Sequence, residues 1–507
     1  MEDSKYGWSS ALRVVIVELY NGNFDIRWDT SKVRKKGEPL KTFGGRASGP
    51  APLEELFQFV KEVFVKADGR KLTSIECHDI VCKIGAVVVV GGVRRSACIS
   101  LSNLTDSRMQ TAKSGSWWAT DPQRALANNS VSYTEKPDIG IFMKEFVALY
   151  ESKSGERGIF NREASEIQVL KNGRREGGQA WGTNPCSEII LRPQEFCNLS
   201  EVVVRSEDTL DCLRDKVRLA SILGTLQSSM TDFKYLNPMW RKNTEEECLL
   251  GVSLTGIMDH PILSGVVSDE RDIEEWCEYT YLDDVLCDLK QVAIDTNKEW
   301  AGVLGVNVST AITAVKPSGT VSQLVDSASG IHARFSPYYI RTVRADRKDP
   351  LSELMIAAGV PHEENVMKDQ DSWVFSFPMK SPEGAVYNES RTAIEQLEHW
   401  LTYQRHWCEH KPSVTIFVKE HEWLEVGAWV YKHFDEISGI SFLPHSEHTY
   451  QQAPYQEISK EEYNELQAAF PKDIDWNLLS KFEKIDTTAG GGTMACSGDV
   501  CEIVDLT

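Results

Sequence analysis

A β-branched run followed by a glycine-rich turn places the strongest constraint on how this chain can fold. The run Val87–Val90 leads into the turn Gly91–Ser96, and a second strand-like segment covers residues 97–101. Before this unit, apolar residues recur with helical spacing over three segments, residues 7–20, 53–65 and 75–84. Strands and glycine loops set among helices predict an α/β architecture.

Composition and charge narrow the class of protein. The chain has 507 residues, of which 41% are hydrophobic and 26% charged, an ordinary globular balance. Its formal net charge of −20 argues against a nucleic-acid or anionic-membrane surface as the main partner. The longest apolar run, Ile84–Val90, is far shorter than the roughly 18 residues of a membrane helix and reads as a buried strand. We expect no membrane partner.

The twelve cysteines are the next compositional signal. The N-terminal residues Met1–Lys5 lack the features of a signal peptide, so we expect a cytoplasmic protein. Cysteines are usually reduced in that compartment, and their number then indicates packing, metal binding or redox catalysis. Cys77, His78 and Cys82 resemble a metal-binding spacing, but their segment is predicted to be helical, and positions five apart on a helix do not share a face. His445 and His448 lack a standard zinc spacing, so we expect no metal site.

The rest of the chain divides into a long folded part and a short tail. Further helices are predicted at residues 138–150, 209–230, 270–300, 393–408 and 420–434, and strands at residues 189–191, 202–204 and 413–418. Three consecutive glycines then follow Phe482, which is typical of a flexible tether. We therefore predict a folded region over residues 1–482 and a flexible tail over residues 483–507.

The segment Asn184-Pro185-Cys186-Ser187-Glu188 brings a carboxamide, a thiol and a carboxylate within five positions. Glu188 has the chemistry of a general base for a hydroxyl group, and Asn184 can hydrogen-bond a neighbouring hydroxyl. Cys197 follows eleven residues after Cys186. The structural alternative is a surface loop with two buried thiols, because cysteine is among the most buried residue types.

Two further patterns favour function. Cys496 and Cys501 lie on the Gly-rich tail, where a closely spaced exposed pair favours redox exchange over a weak metal site or a frayed end. Glycine with hydroxyl side chains is typical of an anion cradle, although isolated turns of this kind are more often structural. The candidate phosphate turn comprises Pro317, Ser318, Gly319, Thr320, Val321 and Ser322, and the candidate nucleotide loop comprises Gly91, Gly92, Val93, Arg94, Arg95 and Ser96.

Taken together, these motifs resemble the large subunit of ribonucleotide reductases, and most closely the class II, adenosylcobalamin-dependent ribonucleoside-triphosphate reductases. The resemblance covers essentially the whole chain, with its motifs in the family's order. It rests on residues 40–50, 91–96, 122–130, 155–164, 184–188, 316–322 and 439–444 and on the C-terminal cysteine pair.

The resemblance implies a fold and a set of residue roles. The fold would be a ten-stranded α/β barrel with a central finger loop carrying Cys186, the residue that becomes a thiyl radical and takes the hydrogen from C3′ of the ribose. Glu188 would accept the 3′-hydroxyl proton, and Asn184 would hold the ribose hydroxyls. Cys197 would belong to the reducing thiol pair. Roles in tail exchange, substrate phosphate binding and specificity would fall to Cys496 with Cys501, to Pro317–Ser322 and to Gly91–Ser96.

The resemblance also implies the cofactor and the partners. The chain has neither a glycyl-radical signature near its end nor a tyrosine relay pair before its tail, so adenosylcobalamin would generate the radical. The expected substrate is a ribonucleoside triphosphate, with a deoxynucleotide effector and a thioredoxin-type reductant.

One departure from the family pattern concerns the thiol that pairs with Cys197. In the family it lies on an early barrel strand, upstream of the segment that matches Ser4–Tyr20. We therefore expect that a complementary N-terminal polypeptide completes the barrel. The alternatives are a non-catalytic nucleotide-binding remnant of a reductase and a plain thiol–disulfide exchanger that uses only the tail cysteines.

Overall fold

The computed structural model describes residues 1–36, 38, 47–87, 89–90, 93–94, 96–265, 281–347, 349–366, 372–445 and 452–483. Within these ranges the helices are α1 Lys5–Tyr20, α2 Ala51–Lys66, α3 Ser74–Ala86, α4 Ser107–Gln110, α5 Trp117–Thr120, α6 Ile139–Ser152, α7 Arg162–Leu170, α8 Leu210–Ser228, α9 Pro238–Glu247, α10 Leu282–Leu304, α11 Thr320–Leu324, α12 Pro350–Ala357, α13 Ala393–His406, α14 Trp423–Lys432, α15 Lys460–Ala469 and α16 Leu479–Phe482.

The strands alternate with these helices, as the sequence predicts for an α/β fold. They are β1 Val89–Val90, β2 Val93–Arg94, β3 Cys98–Asn103, β4 Ala127–Tyr133, β5 Gly158–Asn161, β6 Gly182–Thr183, β7 Ile190–Leu191, β8 Asn198–Val203, β9 Leu250–Thr255, β10 Thr313–Ala314, β11 Tyr338–Asp346, β12 His362–Glu364, β13 Ser372–Lys380, β14 Thr415–Val418, β15 Gly439–Pro444 and β16 Tyr455–Glu457.

The predicted helices begin where the sequence supplies a cap. Thr73 at the start of α3 accepts a hydrogen bond from the Glu76 amide, and the Glu76 carboxylate accepts one from the Thr73 amide at 2.8 Å. Hydrogen bonds from Arg70 and Thr73 lower the pKa of Glu76 to about 2. One prediction is wrong in detail: α3 continues to Ala86, so the apolar run beginning at Ile84 is helical at first and only Val89–Val90 is strand.

Two sheets form the frame of the molecule. A five-stranded sheet has the order β14-β15-β5-β4-β3 and is parallel except between β15 and β5. A three-stranded parallel sheet has the order β10-β9-β8. A parallel bridge between Val315, just after β10, and Pro412, just before β14, joins the two sheets. The strands of these two sheets thus form one continuous row of eight, joined through this bridge. The ten-stranded barrel stays a prediction.

The largest hydrophobic core lies between these sheets and the helices that cover them. It draws buried side chains from strands β4, β5, β8, β9, β14 and β15 and from helices α6, α8, α10, α13 and α14. Trp400 and Trp407 of the α13 region are fully buried, and each donates its indole N–H to a backbone carbonyl, of Pro412 and Ala314 respectively. These bonds tie α13 to both partners of the bridged segment.

The N-terminal helices pack around a separate hydrophobic cluster. Its buried members come from α1, α2 and α3 with the following turn, and they are Val15, Leu19, Leu53, Leu56, Phe57, Val60, Ile80 and Val87. A separate four-stranded sheet has the order β12-β13-β11-β16; in the chain, β11 to β13 lie between β10 and β14, and β16 follows β15. No described helix has the length and apolar character needed to cross a membrane.

The N-terminal cluster generates a stability prediction. We expect Phe57→Ala, which empties a fully buried ring site, to lower the free energy of unfolding by about 3–5 kcal/mol. Protection from hydrogen exchange should fall most in helices α1–α3. The control is Tyr20→Ala on the same unit, where the ring is 83% exposed and the change should stay within about 0.5 kcal/mol. Equal effects of the two substitutions would contradict this packing.

Candidate active site

A two-stranded hairpin presents the predicted Asn184–Glu188 motif. Strands β6 and β7 pair antiparallel through Thr183 and Ile190, and the motif forms the connection. The Ser187 amide donates to the Asn184 carbonyl at 2.9 Å, and the Asn184 side-chain oxygen accepts from the Ile189 amide at 3.0 Å. Ser187 closes the turn with φ of 67°, in the left-handed region. We call residues 182–191 the finger hairpin.

The tip of the finger hairpin is held by the backbone on both sides of its cysteine. Asn128 of β4 donates its amide to the Pro185 carbonyl at 2.9 Å, and the Ser413 hydroxyl donates to the Cys186 carbonyl at 2.6 Å. Cys186 is half-buried and forms no disulfide. The backbone is therefore fixed while the residue keeps partial exposure, as a reacting group requires.

Glu188 is a buried carboxylate without a hydrogen-bond partner. Its exposure is 0%, and neither carboxylate oxygen has a partner among the described residues. Burial raises the pKa of Glu188; the Asn184 side chain, which lies near the carboxylate without a well-aligned hydrogen bond to it, opposes this shift in part, and the positive charges of Lys316 and Lys411 oppose it further. A buried carboxylate left unpaired is energetically costly, and a raised pKa suits it to accept a proton. The arrangement fits a general base waiting for a substrate hydroxyl.

Cys197 lies at the residue before β8 and within electrostatic range of the finger hairpin. Burial raises the pKa of the Cys197 thiol, and the negative charges of Glu188 and Glu195 raise it further. The thiol therefore stays protonated at neutral pH and can give up hydrogen. The structure thus brings together four residues predicted from sequence: Asn184, Cys186, Glu188 and Cys197.

The base of the finger hairpin is anchored by Arg175, which sequence analysis did not single out. Its guanidinium donates to the Ile190 carbonyl at 2.9 Å, to Glu247 at 2.6–3.0 Å and to Glu195 at 3.1 Å. It also lies 4.7 Å above the Trp181 ring. All four side chains are buried. Charge-assisted bonds of this kind hold the hairpin in one register.

His410 connects the same strand of the hairpin to β9. Its Nδ1 accepts from the Ile190 amide at 3.3 Å, and its Nε2 lies 2.9 Å from the Leu250 carbonyl. This pattern requires a neutral ring with the proton on Nε2. Burial lowers the pKa of His410 to about 3. The sequence signal for a role of His410 is weak, because the residue is only one member of a polar run, residues 409–413, between a helix and a strand.

Lys411, the next residue, reaches the tip of the hairpin. Its side chain is completely buried and its Nζ lies 2.5 Å from the Ser187 hydroxyl, while its backbone amide donates to the Glu188 carbonyl at 3.2 Å. Burial lowers the pKa of Lys411 to about 7, although the negative charge of Glu188 raises it. Sequence analysis missed this residue because nothing in the local pattern distinguishes it from a surface lysine.

The predicted phosphate turn follows β10 and the bridged segment. Ser318 and Gly319 have positive φ values of 27° and 55°, and the buried Ser318 hydroxyl has no hydrogen-bond partner among the described residues. The Ser322 hydroxyl donates to the Gly319 carbonyl at 2.7 Å. Lys316 precedes the turn and acts electrostatically on Glu188, which places the turn near the finger hairpin. The turn therefore leaves one buried hydroxyl, that of Ser318, without a partner among the described residues.

The remaining predicted residues lie wholly or partly outside the described ranges. Gly91, Gly92 and Arg95 of the nucleotide loop are not described, whereas Val90 and Val93 on either side of the glycines pair antiparallel. The Ser96 hydroxyl donates to the Gly85 carbonyl at 2.5 Å. Cys496, Cys501 and the rest of the predicted tail from residue 484 onward also lie outside. Their roles stay predictions.

The neutral state of His410 generates a prediction for the pH dependence of stability. Because its folded-state pKa is about 3 against 6.5 in the unfolded chain, the unfolded state binds the extra proton first as pH falls. We expect this group to reduce the free energy of unfolding by on the order of 3 kcal/mol between about pH 7 and pH 4.

The matched variant is His410→Gln, which keeps a donor for the Leu250 carbonyl but does not titrate. Urea unfolding at a series of pH values measures both proteins. The variant should be less stable at pH 7 and should show a shallower loss on acidification. Parallel pH profiles for the two proteins would refute the assignment of a buried neutral ring.

Comparison with known proteins places these observations in a family. A family model for the insertion domain of B12-dependent ribonucleotide reductase matches residues 1–64, which supply most of the N-terminal cluster. The chain is 27% identical, over 94% of its length, to a probable adenosylcobalamin-dependent ribonucleoside-triphosphate reductase of Dictyostelium discoideum. It is 29% identical, over 98% of its length, to the adenosylcobalamin-dependent ribonucleoside-triphosphate reductase of Euglena gracilis.

The match covers these relatives only in part. The chain spans 61% of the Dictyostelium protein and 66% of the Euglena protein. Among solved structures, a B12-dependent (class II) ribonucleotide reductase superposes with a TM-score of 0.76 at 24% identity, covering 96% of this chain and 70% of that one. The structural likeness confirms an α/β fold similar to that of this class II reductase, and the resemblance inferred from the motifs is confirmed. Over nearly its whole length, the chain is similar to adenosylcobalamin-dependent ribonucleoside-triphosphate reductases.

Proposed function

We propose that this chain carries the radical active site of an adenosylcobalamin-dependent reductase that converts ribonucleoside triphosphates to deoxyribonucleotides. The observation that carries the proposal is the finger hairpin, where an accessible thiol, Cys186, lies two residues from the buried and unpaired carboxylate of Glu188. The names of the relatives support the reaction and the triphosphate substrate. The neighbouring phosphate turn, Pro317–Ser322, would hold the triphosphate.

Adenosylcobalamin, when bound, supplies a carbon-centred radical by homolysis of its cobalt–carbon bond. The residues fit such a group because the Cys186 thiol is half-exposed while its backbone is clamped on both sides, by Asn128 and Ser413. Cys186 is the residue that would lie toward it. A fixed backbone with an accessible sulfur lets one thiol exchange hydrogen without moving the surrounding chain.

The roles of the other residues follow from their environments. A thiyl radical at Cys186 takes the hydrogen atom from C3′, and Glu188 accepts the proton of the 3′-hydroxyl, for which its raised pKa suits it. Asn184 hydrogen-bonds the ribose hydroxyls with its amide N–H groups, since its oxygen is already used by Ile189. The 2′-hydroxyl then leaves as water, a thiol pair that includes Cys197 supplies two electrons and two protons as it becomes a disulfide, and Cys186 returns the hydrogen atom to C3′.

The second member of the thiol pair lies in the part of the family that this sequence does not match. About a third of the length of the Dictyostelium and Euglena relatives has no counterpart in these 507 residues. We propose that turnover requires that part, supplied as a complementary N-terminal polypeptide. A deoxynucleotide effector acting through the loop Gly91–Ser96 and a thioredoxin-type reductant complete the proposed set of partners.

The central test compares variants of the finger hairpin in the assembly completed with that polypeptide. With adenosylcobalamin, a dithiol and a ribonucleoside triphosphate, we expect Cys186→Ala to abolish formation of the deoxynucleotide. Glu188→Gln should lower kcat by roughly 10²–10⁴, because proton transfer to a positioned base is lost. Product is measured by chromatography. The control, Cys212→Ala, removes an exposed thiol on α8 and should leave turnover within about twofold of the wild type.

Two results would count against the proposal in different ways. Nucleotide binding without turnover by the wild-type assembly would favour a non-catalytic remnant. Unchanged turnover in Cys186→Ala would favour a thiol–disulfide exchanger that uses only the tail.

The tail cysteines have a separate test, because they act only between turnovers. In Cys496→Ala and Cys501→Ala proteins, one equivalent of product per site should still form from the pre-reduced enzyme. Continuous turnover with thioredoxin should fall below about a hundredth of the wild-type rate, since exchange needs both thiols. Rapid-quench measurement of the first turnover separates the two phases. Loss of the first turnover as well would assign the tail a role inside the site.

A further inference from the structure

Lys411 is a buried ammonium group that the proposed chemistry leaves unused. It is 0% exposed, and the charge that acts most on it is that of Glu188. In return, Lys411 is one of two positive charges that act on Glu188, the other being Lys316. Full burial of a lysine is unfavourable unless its charge is compensated, so its place beside the finger hairpin requires a reason.

A glycine beside Lys411 leaves the space that its ammonium group occupies. A Cβ atom on Gly439, the first residue of β15, would lie 1.9 Å from Nζ and 3.0 Å from the Ser187 hydroxyl. On another side the Phe160 ring centroid lies 5.2 Å from Nζ, a distance suited to a cation–π contact. The site for the ammonium group is therefore formed jointly by β5, β15 and the finger hairpin.

Lys411 contacts the chain at Ser187 and Glu188, beside the residues to which we assign the chemistry. Its Nζ contacts Ser187, which lies between Cys186 and Glu188 and has a positive φ, and its backbone amide binds the Glu188 carbonyl. One residue thus fixes both the side chain at the centre of the turn and the peptide group that carries the carboxylate. An apolar side chain at this position would keep the backbone bond to the Glu188 carbonyl but lose the contact with Ser187.

We propose that Lys411 is a positioning residue of the active site, which holds the Cys186–Glu188 turn through Ser187 and places a positive charge near the Glu188 carboxylate. The catalytic consequence rests on the proposed function, in which Glu188 is the base. The electrostatic effect on Glu188 does not rest on it and is measurable in the chain without substrate.

The effect on Glu188 is tested by infrared titration. The carboxyl band of Glu188 is identified by subtracting the spectrum of Glu188→Gln and is followed against pH in the wild type, in Lys411→Met and in Gly439→Ala. We expect the midpoint to move to higher pH in Lys411→Met, because a neighbouring positive charge is gone. Gly439→Ala keeps the lysine but displaces its flexible end, so the shift should have the same sign and a smaller size.

A matched control separates charge from loop contact. Ser413→Ala removes the hydrogen bond to the Cys186 carbonyl on the same turn without changing any charge. Its carboxyl midpoint should stay at the wild-type pH. Thermal unfolding of Lys411→Met, Gly439→Ala and Ser413→Ala shows whether each is folded, and Lys411→Met should unfold at a lower temperature than the wild type, because it removes the partner of the Ser187 hydroxyl and the positive charge near Glu188.

The kinetic arm uses the assembly completed with the N-terminal polypeptide. We expect Lys411→Met to lower kcat about tenfold with KM changed by less than about twofold, and to displace the pH–rate profile in the direction of the infrared midpoint. An unmoved infrared midpoint in folded Lys411→Met and Gly439→Ala would overturn the inference. Activity of Glu188→Gln equal to the wild type would instead overturn the proposed function and leave the infrared result standing.

Discussion

The buried guanidinium of Arg175 is the interaction on which the active site depends. It binds one backbone carbonyl of the finger hairpin, at Ile190, and the carboxylates of Glu195 and Glu247. Burial and the charge of Glu247 raise the pKa of Glu195. Burial also acts on Glu247, but hydrogen bonds from Arg175 prevail and lower its pKa. One proton on Glu195 leaves one negative charge to balance Arg175, which reduces the cost of burying the cluster.

With the base of the finger hairpin held by Arg175, His410 and Lys411 bind the hairpin nearer to its tip. His410 stays neutral and joins the hairpin to β9, and Lys411 meets the Ser187 hydroxyl. In this arrangement the carboxylate of Glu188 has no hydrogen-bond partner among the described residues. Native structures rarely leave a buried carboxylate unpaired without a functional reason. Glu188, to which we assign the proton transfer, is thus the residue at which burial without a hydrogen-bond partner is energetically costly.

The sequence predicted those helices and strands whose formation depends on local patterns of residues. Apolar spacing and caps gave helices α1, α2 and α3 to within a few residues, because a helix forms from neighbours in the sequence. The error at Ile84 has the same origin. A run of β-branched and apolar residues has no period that separates strand from helix, and packing of α3 against the N-terminal cluster decided for helix as far as Ala86.

The same distinction between local sequence and tertiary structure applies to the candidate site. The sequence alone predicted which residues would carry the chemistry, since Asn184, Cys186 and Glu188 lie within five positions in a motif that resembles the one in the reductase family. Only the tertiary structure decided their electrostatic environment. Arg175, His410 and Lys411 lie up to 224 positions from the finger-hairpin residues they contact, and no sequence period relates them. Burial sets the charge state of each group, and burial is a property of the assembled sheets rather than of any local segment.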